Sequence, residues 1–118
     1  MVDAPGARIL LNIFSAAYSA HEYEWRPLRA GVDIAMLYGG GEDEPAAALL
    51  RYAPGAQVPE HEHRGYEHIL ILRGLQSDAH GEYGAGQLII SPPGTRHSVT
   101  SKDGCLVLAI WEKQVRFI

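Results

Sequence analysis

Three histidines and one glutamate carry the chemistry this sequence offers. His61, His63 and Glu67 fall within seven residues of one another in GAQVPEHEHRGYEHILILRG, Gly55 to Gly74. His97 follows in GQLIISPPGTRHSVTS, Gly86 to Ser101. On a strand, two residues in alternate positions point to one face, their Cα atoms ~6.5 Å apart. His61 and His63 are so spaced, and two imidazole nitrogens at that separation can meet a common ion at ~2.0–2.2 Å each. Gly65 permits a bend or bulge that returns Glu67 to the same face. Three imidazoles and one carboxylate suit a borderline divalent cation such as Zn, Fe, Mn, Ni or Co. His97 lies 30 residues beyond Glu67, so only a closed sheet brings it near.

The elements that must position these groups are short strands. Thirteen glycines and seven prolines punctuate short apolar runs, a pattern of many strands and turns. Residues 1–7 are expected to fray. Residues 8–20 read as a strand through Ile13 followed by a turn or short helix. Strands are expected over 22–28, with Pro27 at an edge or end, and over 32–38 and 46–53. The pair 58–63 and 66–72 is central, with Arg64-Gly65 as its bend, and Gly74 starts a turn. Residues 75–80 and 82–83 form a hairpin about Gly81. Further strands cover 88–91, 97–101 and 105–112, and 113–118 adds an edge strand. Roughly ten strands with no repeat or linker imply an all-β antiparallel sandwich or barrel. Ile69 and Ile71 share the Glu67 face while Leu70 and Leu72 take the other. Both faces are therefore apolar, and the outer one needs a cover. The N-terminal strands or a second subunit would supply it, and a homodimer is expected.

With 118 residues, the chain reads as one domain large enough for a real core. Its net charge is −4 and its pI about 5.8. No basic run supports nucleic-acid or anionic-membrane binding. No apolar run approaches the ~20 residues of a membrane span. The start MVDAPGAR lacks a signal-peptide pattern, so a cytoplasmic location is expected. The lone cysteine, Cys105, excludes an internal disulfide and any multi-cysteine zinc site.

The two stretches can be written G-x5-H-x-H-x3-E-x6-G and G-x5-P-x-G-x2-H-x3-S. They resemble the two signature motifs of the cupin superfamily. Every fixed position of the first is matched. The second departs only at Ser101, where the family usually has Asn, a generally structural position. The motifs span about 40% of the chain. Finer features, PGAQVPEHEHRGYE, PPGTRH and the DGC at 103–105, are similar to the cupin domain of the ChrR anti-sigma factor. The resemblance implies a jelly-roll barrel (the cupin double-stranded β-helix) with one divalent metal on His61, His63, Glu67 and His97. ChrR also carries an N-terminal zinc anti-sigma domain with a His-x3-Cys-x2-Cys pattern. That pattern is missing from this sequence, so a complete anti-sigma factor of that type is not expected.

Other chemistry-bearing residues have plainer readings. His68 alternates away from Glu67 and reads as a surface or interface residue. His21 and His80 flank turns and read as solvated. Cys105 is a small core residue, or a redox-responsive thiol with no neighbour to trap it. Tyr66 and Arg96 sit beside ligands, with structural roles favoured over substrate contact. Tyr23, Trp25 and Trp111 read as core or interface, and Glu42-Asp43-Glu44 as a solvated turn.

The function classes that remain all use the metal. In a metal-dependent dioxygenase, four protein ligands leave two positions open on six-coordinate Fe, Mn or Ni. Family resemblance implies small diketones or aromatic ketones as substrates. In a Zn-binding sensor or regulatory module, the same four ligands saturate a tetrahedral ion. A cupin that binds a small ligand or sugar without turnover is the third class. Stretches of Ile and Leu would line a barrel suited to a small apolar molecule.

Overall fold

The computed structural model describes residues 2–4, 6–18 and 22–118, leaving aside the side chains of 2–4, 17 and 18. Met1, Pro5 and His21 lie outside these residues, so the readings of a frayed start and of a solvated His21 fall wholly or partly outside them. Strands β1 (Val2–Ala4) and β2 (Ala7–Ile9) pair only with each other. A 3-10 helix follows at Ile13–Tyr18. The remaining strands are β3 (Arg26–Arg29), β4 (Val32–Tyr38), β5 (Ala46–Tyr52), β6 (Ala56–Glu62), β7 (Glu67–Asp78), β8 (Gly81–Gly84), β9 (Leu88–Ser91), β10 (Arg96–Ser101), β11 (Cys105–Trp111) and β12 (Arg116–Phe117). They form one antiparallel sheet in the order β12-β6-β10-β7-β11-β5-β4-β3, with β8 and β9 both added to β7. No helix among the described residues is long and apolar enough to cross a membrane.

β7 makes the sheet curl. Its first half pairs with β9 and β11, and its last residues pair with β8 and β10. The expected turn at Gly74 is instead a bend within this one strand. The register against β11 shifts beside it, where Leu106 faces Arg73 and Val107 faces Ile71. Gly74 has φ +80°, and a Cβ there would lie 2.1 Å from the Gly104 carbonyl oxygen. Only glycine tolerates both the left-handed backbone and the close approach. The chain bends without breaking its ladder, which is why the strands expected over 66–72 and 75–80 are one strand, Glu67–Asp78.

The N-terminal part also differs from expectation. The strand begins at Arg26, not Glu22, and includes Pro27. β3 is an edge strand, so a residue without an N–H is tolerated there. Tyr23 lies outside the sheet's ladders and packs onto its outer face, its hydroxyl donating to the Leu11 carbonyl at 3.2 Å. The strand expected through Ile13 stops at Ile9. Residues 46–52 are strand despite their alanines, because β11 flanks them with a continuous ladder and β4 with one broken only by a shift between Met36 and Tyr38.

Two apolar clusters lie on the two faces of this sheet, as the alternation in β7 requires. Inside the curl, Ile69 and Ile71 pack with Val107, Ala109 and Cys105. On the outer face, Leu72 packs with Leu49, Leu106 and Ala35 under Ala16 and Tyr23, with Leu10, Ile13 and Leu70 against them. The N-terminal segment thus covers the outer face, with a 3-10 helix and its flanks in place of the expected strands. Each large side chain buried this way contributes about 1.5–3 kcal/mol. Ser101, at the position where the second motif departs from its usual residue, is fully buried and donates to the Leu75 carbonyl at 2.6 Å. Its role is structural.

Replacing Gly74 by Ala should destabilise the protein by at least ~2 kcal/mol, from left-handed strain and displacement of the Gly104 carbonyl. Urea denaturation monitored by circular dichroism checks this, and an unchanged midpoint would show that the bend is not a tight constraint.

Candidate metal centre

Alternation on β6 sets His61, and the two residues beyond it continue the ladder. The His63 N–H donates to the Thr95 carbonyl at 2.9 Å, and the Gly94 N–H donates to the His63 carbonyl at 2.8 Å. Across the same pair of strands, His97 on β10 is directly opposite His61. Directly opposed residues have Cβ atoms ~4.5–5.5 Å apart. The 30 residues separating His97 from Glu67 therefore collapse into a cross-strand neighbour. Glu67 opens β7 after the bend at Arg64-Gly65. Gly65 is needed there for space, since a Cβ would lie 2.9 Å from the Glu112 Cβ. The Glu112 carboxylate in turn accepts from the Tyr66 N–H at 2.7 Å. Arg64 fixes the same bend by donating to the Asp43 carboxylate and to the Glu42 and Gln114 carbonyls. The acidic turn, read as merely solvated, is thereby tied to the site.

One nitrogen or oxygen from each of His61, His63, Glu67 and His97 lies within 4.8 Å of all the others. The three imidazole rings form a near-equilateral set, with centroids 4.7, 4.8 and 5.2 Å apart. His61 and His63 are buried, and the other two are nearly so.

The proton positions follow from the hydrogen bonds. His61 Nδ1 lies 2.9 Å from the Pro59 carbonyl, a pure acceptor, so Nδ1 carries the hydrogen. His97 Nδ1 donates to Asp78 Oδ2 at 3.1 Å. His63 Nδ1 lies 2.9 Å from Thr95 Oγ1. The Thr95 hydroxyl spends its own hydrogen on the Pro92 carbonyl at 2.7 Å, so it accepts from His63. All three rings therefore keep Nε2 as the free donor atom. His63 Nε2 is buried, makes no hydrogen bond, and lies 3.2 Å from Glu67 Oε1. With His63 neutral, two lone pairs face each other there, and a proton or a metal ion between them would satisfy both. Metal-bound histidines use this pattern, with the outer N–H held by a carbonyl or carboxylate. The residues fit a cation, and the four together could hold one metal ion.

Electrostatics keeps the donors available. Burial pushes the His61 imidazole below its ordinary value of 6.5, against the opposing Pro59 hydrogen bond. Its lone pair is then open near neutral pH. Burial would raise the Asp78 carboxyl, but the His80 N–H, His97 and Tyr83 outweigh it and hold the group below the usual carboxylate range. Tyr83 donates to Asp78 Oδ1 at 3.0 Å. Asp78 and Thr95, which hold His97 and His63, are partners that sequence reasoning missed. Thr95 lies in the second motif, three residues past Pro92, a spacing that a side-chain turn would use. Asp78 had no signal beyond its acid side chain in a hairpin.

A cavity of about 790 Å³ opens from the cluster, lined by His61, Glu67, His97, Ile34, Leu50, Val58, Ile69, Val99 and Trp111 among others. Tyr66 and Arg96 do not line it. Tyr66 is exposed, and Arg96 reaches Glu62 on the outside. His68 occupies the opposite face, as its alternation requires, between Ile90 and Ile110. His80 is exposed. Cys105 is buried in the inner core, and burial pushes its thiol up, which leaves it protonated and unreactive.

Residues 15–114 match the family described as the ChrR cupin-like domain. The chain belongs to this family. Over 99 residues it is 38% identical to the anti-sigma-E factor ChrR of Cereibacter sphaeroides, covering 81% of this chain and 45% of that protein. The crystal structure of Rhodobacter sphaeroides SigE in complex with the anti-sigma ChrR superposes with a TM-score of 0.68 at 35% identity, over 79% of this chain and 50% of that one. The chain thus spans about half the length of these relatives. An acetylacetone dioxygenase from Acinetobacter johnsonii superposes over all of this chain and 83% of its own, with a TM-score of 0.75 at 16% identity. That likeness shows the cupin fold alone. The all-β double-stranded helix read from the two motifs is the fold observed.

Replacing Asp78 by Asn keeps the shape but removes the charge behind His97. Metal affinity should fall about 10–100-fold, measured by competition with a chromophoric chelator, with the far-ultraviolet spectrum unchanged. Undiminished affinity would mean that His97 is not a ligand oriented by this carboxylate.

Proposed function

We propose that this cupin holds one divalent transition metal on His61, His63, Glu67 and His97 and works on a small molecule drawn into the adjoining cavity. The observation that carries this reading is the set of three Nε2 atoms turned inward with their Nδ1 hydrogens spent elsewhere. Within it, His63 Nε2 and Glu67 Oε1 stand 3.2 Å apart, a pair that a metal ion would satisfy. The reaction class that fits is a dioxygenase of Fe, Mn or Ni acting on a small diketone or aromatic-ketone-like substrate. When bound, such a metal supplies Lewis acidity and a meeting point for substrate and oxygen. The protein's part is to orient the imidazoles through Pro59, Thr95 and Asp78. The walls of Ile34, Leu50, Val58 and Val99 exclude water and receive the substrate's carbon skeleton.

A second reading has its own support in the 38% identity to an anti-sigma factor. In it the four ligands saturate Zn, and the domain senses a ligand or oxidant and answers to a protein partner such as a sigma factor. The two readings also share a homodimer and a cytoplasmic location as expectations. Leu88, Ile90 and Ile110 stay exposed on the outer face beyond the N-terminal cover, an apolar strip of the kind that pairs subunits. Sedimentation as a monomer at high concentration would remove the dimer.

Elemental analysis of protein purified without a His tag or added metal should find close to one equivalent per chain. The His63→Ala variant should lose the metal and melt at lower temperature, since an ion bound only by the folded state stabilises it. Iron with oxygen uptake on a diketone supports the dioxygenase. Stoichiometric Zn, no uptake across a substrate panel and capture of a sigma factor support the sensor. A metal-free protein with His63→Ala unchanged in stability overturns both.

A further inference from the structure

The cavity beside the four-residue cluster has a second polar end. Arg29, the last residue of β3, lines it, with Cζ 4.6 Å above the ring of Phe117. Phe117 packs in turn against His61, ring centroids 5.8 Å apart. Arg29 Nε is buried and has no hydrogen-bond partner, and among the described residues no carboxylate lies within ion-pair distance of its guanidinium. Arg29 itself is half-buried, but an N–H shut off from water ordinarily finds an acceptor. Trp111 Nε1 is a second buried donor without a partner on the same cavity's wall. The Tyr52 phenol, which also lines the cavity, is pushed up by burial, raised further by Cys105 and Glu67 and opposed by Arg29. Tyr52 therefore feels both Glu67 and Arg29 within one chamber.

The charge count around this chamber is lopsided. Among the described residues Glu67 is the only acid that lines it, while Arg26 and Arg29 are both cationic. Under the metal reading, a dication facing three neutral imidazoles and one carboxylate adds a further net positive charge. The unpartnered groups, Arg29 Nε–H and Trp111 Nε1–H, are donors, so a complementary guest must bring acceptors. A buried donor left unmade is costly, and one met by a charged acceptor is correspondingly stabilised. The walls between these ends are aliphatic.

We infer that the chamber is a site for a small organic acid, its carboxylate received by Arg29 and its apolar body lying along Ile34, Leu50 and Val58. This rests on and deepens the reading of the cavity as a substrate chamber, and narrows the ketone-like substrate to one that also carries a carboxylate. Arg29 is then a specificity-determining residue, chosen over lysine because a planar fork both stacks on Phe117 and receives two oxygens.

The test uses benzoate and its neutral isostere benzamide, titrated calorimetrically into the protein as purified, with metal content measured on the same samples. Wild type should bind benzoate at least tenfold more tightly than benzamide. Arg29→Gln should lose that preference while keeping benzamide affinity and metal content, and Arg29→Lys should keep part of it. Equal affinities in wild type, or a preference that survives in Arg29→Gln, overturn the inference. If Arg29→Gln fails to fold, the wild-type comparison and Arg29→Lys still decide. Metal-replete protein without the preference removes this inference and leaves the metal centre standing. Metal-free protein that still selects benzoate through Arg29 does the reverse.

Discussion

Both ends of one strand reach the same cluster, and the rest of the structure follows from that requirement. Glu67 opens β7 and Asp78 closes it. Drawn straight, the eleven steps between them would span about 36 Å. Yet Asp78 holds one nitrogen of His97, and the other side of that ring belongs to the group that includes Glu67. The strand must therefore curl back on itself. Gly74 supplies the bend, β11 follows it through a register shift, and β6 and β10 close the far wall. A flat sheet with the same pairing preferences could not bring the two carboxylates to one histidine.

Closure has an energetic counterpart in the two apolar faces of β7. Packing Ile69 and Ile71 inside the curl stabilises the barrel but leaves Leu70 and Leu72 facing outward. The N-terminal segment covers them with Leu10, Ile13, Ala16 and Tyr23. The segment that contributes nothing to the cluster thus protects the strand that organises it. The interior can then afford polar residues where the chemistry needs them. His61 and His63 are buried with their Nδ1 hydrogens accepted, and three of the buried polar atoms left without a partner, His63 Nε2, Arg29 Nε and Trp111 Nε1, lie at the cluster or on the cavity wall.

Much of the cluster was legible in the sequence because period two is a rigid rule. It fixed His61 and His63 to one face, sent His68 to the other, and separated Ile69 and Ile71 from Leu70 and Leu72. His97 was legible through its motif, but its partner strand was not. Nothing local says that β10 lies beside β6. The outer partners were invisible for the same reason. Asp78 meets His97 across a closed sheet, and a nineteen-residue separation leaves no periodic trace. Gly74 was misread as a turn because a left-handed glycine looks alike in a hairpin and in a bulged strand. Tyr23 and Trp25 alternate like strand residues, but Tyr23 packs onto the outer face with Trp25 against the same cluster, and side-chain periodicity cannot reveal that the backbone between them is unpaired. Arg29 gave no warning at all, since its surroundings come from β4, β5 and β12 at once.

The supports behind the imidazoles also make them unequal. His61 leans on a peptide oxygen and His63 on a hydroxyl, both neutral, whereas His97 leans on a carboxylate. A negative acceptor draws the Nδ1 proton away from the ring and enriches its opposite nitrogen. Three identical side chains are thus held in two ways, and an ion among them would meet two rings backed by neutral groups and one, His97, backed by a full negative charge.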